Sequence, residues 1–142
     1  MEAELSGVIL DTSVLVTAER RGRSASQILV QLIASYGEVL SGLSVVTIAE
    51  LTHGIERAAS EERRQRRRSF LDELTENFEV YPVNIKIATL AGTLSGQQAG
   101  RGINLPFEDL LIGATALHLG FGVITENTRH FEMIPGLIVK PA

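Results

Sequence analysis

Residues 104–126 read NLPFEDLLIGATALHLGFGVITE. The segment divides at Gly120 into an apolar, helix-forming stretch and a short apolar strand, GVIT over Gly122–Thr125. In the helical part Asp109 shares one face with Ile112, Gly113 and Ala116, one and two turns on. Small residues on a face admit other backbone, so this face is packed. An ionised carboxylate there is costly without a partner or a cation. The competing reading makes Asp109 an ordinary early-turn acid, stabilised by the helix N-terminus, with Pro106 as a first-turn residue.

The same strand–helix alternation runs through the chain. Gly7–Leu10 with Asp11, GVILD, reads as a strand buried on both faces that ends in an acid. Open α/β sheets place ligands at that end. Asp11 could instead cap the helix that follows, as could Thr12 or Ser13. Ser24–Tyr36 has helical period, with Ile28, Leu29, Leu32 and Ile33 on one side and Gly37 as its stop. Glu38–Leu43 is a second strand candidate. Ser44 then caps a helix that carries Glu50 inside it, near His53 and Gly54. Alternatively, Thr47 and Glu50 form a capping box and Glu50 is only structural. His53 reads as a solvated or core-edge histidine.

Ser60–Phe78 is a long helix with Arg63, Arg64, Arg66, Arg67 and Arg68 crowding its first half. One reading is a solvated face of i,i+4 pairs such as Glu62 with Arg66. The other is a phosphate-tracking patch, with Arg63, Arg64 and Arg67 as candidate nucleic-acid contacts. No aromatics interleave the arginines, so base stacking is not signalled. Glu79–Val83 is a short strand that Pro82 keeps from a central position or closes. Asn84 caps the next helix, which runs to the Gly100–Gly102 loop, and Leu137–Val139 reads as a final edge strand. The whole predicts one α/β domain over residues 1–142 with a central parallel sheet.

Composition bounds the function. The 142 residues carry 44% hydrophobic side chains and a formal charge of −4, enough for a two- or three-layer core. No window suits a bilayer span, and the apolar N-terminal run, broken by Asp11 and lacking a basic leader, does not read as a secretion signal. With no cysteine there is neither disulfide nor thiolate metal site, which suits a reducing cytoplasm. Mild acidity speaks against coating nucleic acid through bulk charge.

Right-handed crossovers bring strand carboxyl ends and helix N-termini to one side of a parallel sheet. Asp11, Glu50 and Asp109 are therefore expected to converge, with Asn127 nearby. Two carboxylates ~4 Å apart repel by roughly 4 kcal/mol at an effective dielectric near 20. No Lys or Arg lies in these motifs to offset that, so a hard divalent cation, Mg²⁺ or Mn²⁺, is the economical partner. Zn²⁺ fits less well, since His and Cys are missing from the motifs. Such a site suits metal-assisted phosphodiester hydrolysis, with Glu50 or Asp109 holding or deprotonating the water and Asn127 orienting a phosphate.

The stretches GVILDTSVLV, SVVTIAELTHGI and LPFEDLLIGATALHLGFGVITENTRHFEMIPGL resemble the PIN-domain ribonucleases, most closely the VapC toxins of bacterial type II toxin–antitoxin modules. The similarity covers nearly the whole chain. It implies an α/β/α sandwich and a Mg²⁺- or Mn²⁺-dependent endoribonuclease. The family's acids fall on Asp11, Glu50 and Asp109, and its fourth polar position on Asn127, where relatives often carry Asp. Glu126 stands where many relatives are basic, as a further ligand or a surface acid. Thr12, Ser13 and Thr125 would shape the site through hydrogen bonds. The resemblance also implies a homodimer held inactive by a VapB-like antitoxin, a segment of which lies across the active groove.

Other functions fit less well. A PIN scaffold that binds RNA or protein without cutting would not need the retained acids. A receiver domain needs a mid-sheet Asp and a late strand-end Lys, but the only lysines are Lys86 and Lys140. A D-x-D phosphatase fails at Ser13, which stands where its second Asp belongs.

Overall fold

In a computed structural model, described over residues 5–142, five parallel strands lie in the order β3-β2-β1-β4-β5. The strands are β1 (Gly7–Leu10), β2 (Leu40–Ser44), β3 (Glu79–Tyr81), β4 (Gly122–Thr125) and β5 (Val139–Pro141). The helices among the described residues are α1 (Thr12–Arg20), α2 (Ala25–Tyr36), α3 (Val45–Glu56), α4 (Glu61–Asn77), α5 (Ile85–Ala99), α6 (Phe107–Leu119) and α7 (Thr128–Glu132). The expected three-layer α/β/α arrangement is present. None of these helices is long and apolar enough to cross a membrane.

The central strands β1 and β4 are buried at every position, so they read as unbroken apolar runs. Alternate side chains of β1 feed two cores. Val8 and Leu10 pack with Leu15, Ile28, Leu32, Phe70 and Leu74, joining α1, α2 and α4 on one face. Ile9 packs with Ile87, Leu94, Leu110, Ile112 and Phe131, joining α5, α6 and α7 on the other. The chain fills the sheet outward from β1 through β2 and β3, then crosses back to add β4 and β5 on the opposite side. The direction of winding therefore reverses between β1 and β4. At such a switch point a crevice opens at the strand carboxyl ends.

Local chemistry explains most boundaries. Ser24 closes a capping box with Gln27, and the side chains of Ser44, Ser60 and Asn84 accept from Val46, Arg63 and Ile87 at the starts of α3, α4 and α5. Gly120 ends α6 with φ 71°, a left-handed conformation suited to glycine. On α6, a Cβ at Gly113 would lie 2.5 Å from Ile134 Cδ1. Glycine there leaves room for the Ile134 side chain, just after α7, to pack on that face.

Several expectations shift. The last strand is Val139–Pro141 rather than Leu137–Val139, and its proline is tolerated because β5 is an edge. The β2 strand begins at Leu40 rather than Glu38, and β3 ends before Pro82. Pro106 occupies the N-cap of α6 and not its first turn. Ile33 does not join the packed face of α2: it is 50% exposed, while Ala25, Ile28 and Leu32 are buried. Helix α7 had no counterpart in the sequence reading, because five residues are too few to show a period.

Candidate active site

Asp11 follows β1 and occupies the N-cap position of α1, but its side chain makes no cap bond. The carboxylate is 6% exposed and is held from elsewhere. Ser13 Oγ donates to its Oδ2 at 2.7 Å, and Thr125 Oγ1 donates to the same atom at 2.9 Å. Oδ1 is spent on neither bond. Thr125 is fully buried and also accepts the Asn127 backbone N–H at 2.9 Å. The Asp11 N–H donates to the Ile124 carbonyl at 2.9 Å, continuing the β1–β4 pairing. Parallel register thus brings the ends of two strands, more than a hundred residues apart in sequence, into one hydroxyl–carboxylate cluster.

Glu50 projects from the middle of α3, since Ser44 and not Thr47 caps that helix. Thr47 is instead buried, 3.0 Å from the Thr12 hydroxyl. Thr12 Oγ1 donates to Glu50 Oε1 at 2.8 Å. Burial pushes the Glu50 carboxyl above its ordinary range, the Thr12 bond opposes this, and repulsion from Asp11, Asp109 and Glu108 adds to the rise. Asp109 is the third residue of α6, and its face carries buried Ile112, Gly113 and Ala116 as expected. Its carboxyl is also pushed up, first by burial and then by the charge of Asp11, while the His130 hydrogen bond opposes the shift.

Asp11, Glu50 and Asp109 thus act on one another electrostatically, Asp11 raising the carboxyls of both others. They do not yet form a closed ring. Among the described residues no three of His, Cys, Asp and Glu are close enough to enclose a metal ion as they stand. In kind, the three carboxylates and the hydroxyls of Thr12, Ser13 and Thr125 around them suit a hard cation.

His130 was missed as a site residue. Its Nδ1 lies 3.3 Å from Asp109 Oδ2, with Asp109 22% and His130 41% exposed at the side chain. No histidine was expected among the ligands of the acid motifs, yet α7 brings His130 to Asp109 of α6. The signal was its place three residues after Asn127, in a segment too short to be read as a helix. Asn127 itself is exposed at the start of α7 and makes no side-chain cap bond. Glu126 donates its backbone N–H to Ser13 Oγ at 3.2 Å. It borders a separate cavity with Arg21, Arg23 and the chain end at Ala142. Of the arginines on α4, Arg64 pairs with Glu61 at 2.6 Å and Arg68 with Glu56 at 3.7 Å, whereas the expected Glu62–Arg66 pair does not form.

A family model described as PIN domain matches residues 8–137. Ribonuclease VapC1 of Rickettsia felis is 30% identical over 134 residues, 94% of either chain. The chain belongs to the PIN domain family, among the VapC proteins. Solved structures agree on the fold. This PIN domain superposes on the Rickettsia felis VapBC2 complex bound to a promoter DNA fragment with a TM-score of 0.81 at 23% identity, covering 96% of this chain and 98% of that one. The DNA-bound VapBC of Salmonella typhimurium gives 0.80 at 23% identity, covering 95% and 97%. The acids of this PIN domain therefore stand at the carboxyl edge of a sheet whose winding those proteins share.

Proposed function

We propose that this PIN domain is a metal-dependent endoribonuclease, the toxin of a VapBC-type pair, which hydrolyses RNA phosphodiester bonds in the cytoplasm. The observation that carries the reading is the mutual charge effect of Asp11, Glu50 and Asp109, with Asp11 held at the β1–β4 switch point. Its relationship to Ribonuclease VapC1 supports the same reaction class.

Asp11, Glu50 and Asp109 would hold Mg²⁺ or Mn²⁺. When bound, such an ion supplies Lewis acidity at a phosphoryl oxygen and makes nearby water more acidic. The chain's own groups do the rest. Ser13 and Thr125 fix the orientation of Asp11 from one side. Thr12 fixes Glu50, which is open to solvent and placed to take a proton from attacking water. His130 restrains Asp109 through Oδ2. Asn127 can donate to a phosphate oxygen but cannot serve as a base.

A VapB-like antitoxin covering the crevice and a homodimeric assembly complete the proposal; the solved neighbours are themselves VapBC complexes. A second reading, a scaffold that binds RNA without cutting, draws on the open spacing of the three acids. The decisive experiment incubates purified, antitoxin-free protein with RNA in Mg²⁺, in Mn²⁺ and in EDTA. Cutting that needs the ion and disappears in Asp11→Asn is expected. RNA left intact in both ions would favour the scaffold, and ion-dependent cutting by Asp11→Asn would remove this site from the reaction.

A further inference from the structure

The arginines on α4 do not form one uniform charged face. Arg64 and Arg68 are ion-paired with Glu61 and Glu56. Arg63, Arg66 and Arg67 form no ion pair among the described residues, and neither does Arg20 of α1. These four guanidiniums border one cavity of about 340 Å³ with a single carboxylate, Glu19. Like charges gathered this way repel one another unless an anion sits among them. Arg67 is also positioned in advance: its Nη1 donates to the Gly54 carbonyl of α3 at 2.6 Å, leaving its other N–H groups free of that bond.

The basic cavity adjoins a second one, of about 170 Å³, which shares Glu19, Arg20 and Arg67 with it. Glu50 lines that second cavity, together with Leu51 and Phe70. This adjoining pair of cavities, here the channel, borders an acid of the candidate active site among α1, α3 and α4 at one end and the unpaired arginines of α4 at the other. The protein as a whole is acidic, at −4, so this charge is local.

We infer that the channel is the track of a single RNA strand leaving the cleavage site, its phosphates held first by Arg20 and Arg67 and then by Arg63 and Arg66. The identity of the polymer rests on the ribonuclease reading. A strand with a phosphate at every residue matches guanidinium forks that are presented one helical turn apart, and planar forks suit phosphate. An acidic peptide would satisfy the charge but has no reason to begin at Glu50. The arrangement also separates Arg64, whose guanidinium is committed to Glu61, from its neighbours on either side.

The test measures binding of dye-labelled single-stranded RNA to the full chain in EDTA, over a range of salt concentrations. Arg63→Gln/Arg66→Gln removes two exposed side chains that no core contact uses. Its slope of log affinity against log salt should fall by about 1.4, at roughly 0.7 per phosphate contact on a single strand. Arg63→Lys/Arg66→Lys should restore the slope, and Arg64→Gln should leave it unchanged. An unchanged slope in the double Gln variant, or an equal fall in Arg64→Gln, would overturn the track. So would a poly-glutamate peptide that loses binding in the double variant while RNA keeps it. Because the assay needs no cleavage, protein that binds RNA through Arg63 and Arg66 yet never cuts it would refute the ribonuclease reading alone.

Discussion

Thr125 Oγ1 donates to Asp11 Oδ2 at 2.9 Å across the line where the winding of the sheet reverses. Both residues are buried, so the bond cannot be replaced by bulk water. Thr125→Val should leave the buried carboxylate short of a donor and cost about 1–3 kcal/mol. In a chain of this size that lowers the melting temperature by roughly 3–10 °C. Thr125→Ser should recover most of the loss, and thermal melts of the three proteins in EDTA decide it. Equal melting temperatures for Val and Thr would show that the bond contributes nothing.

The raised carboxyls give a pH dependence whose sign can be worked out. Folding lifts Glu50 and Asp109 above their ordinary values of 4.5 and 3.8. The folded protein therefore binds more protons than the unfolded chain within that window. Their contribution is fully present below the ordinary values and is lost as pH rises through the raised ones. In EDTA, wild type should gain stability on acidification towards that range relative to Glu50→Gln/Asp109→Asn. The double variant should also melt higher than wild type at neutral pH. Parallel stability–pH curves would refute both the coupling and its sign.

Divalent ion should reverse this order at neutral pH. An ion that binds only the folded protein adds about 2.7 kcal/mol at a hundred times its dissociation constant. Wild type should therefore melt higher in Mg²⁺ or Mn²⁺ than in EDTA, while Asp11→Asn should show little difference. Calorimetry with and without the ion reads the effect directly, and no shift in wild type would count against the ion site.

Glu50→Gln keeps the shape of the side chain but cannot accept a proton. Cleavage should fall by about 10²–10⁴, the usual contribution of a general base. RNA affinity in EDTA should hold or rise slightly, because one negative charge leaves the channel. Cleavage at the wild-type rate would exclude Glu50 as the base.

His130→Ala frees Asp109 from its 3.3 Å contact. Groups that orient a ligand in this way commonly contribute 10–100-fold to ion affinity. A Mn²⁺ titration followed by water proton relaxation should show a loss of that size, with the fold intact by circular dichroism. Unaltered affinity would reduce His130 to a bystander.

The sheet and the two helical layers could be read from residue order, and so could the candidacy of the three acids. Strand runs such as GVIL and GVIT are apolar at every position because both faces are covered, and that pattern is local. Asp109 was legible because an acid stands out on a face with Gly113 and Ala116. His130 was not, since its role depends on where a five-residue helix lands after the last turn of the sheet. The division of the arginines was also hidden: spacing offered Glu62 to Arg66, but tertiary packing gave Glu56 to Arg68 and the Gly54 carbonyl to Arg67. The edge strand was misplaced by two residues because isolated apolar triplets fix no register.

The first strand lies in the middle of the sheet, and its partner β4 arrives only near residue 125. A nascent polypeptide can assemble β1, β2 and β3 while Asp11 still lacks Thr125 and α6 still lacks His130. Translation thus supplies Thr125 and His130 more than a hundred residues after Asp11. The candidate site stays incomplete while β1, β2 and β3 are being made.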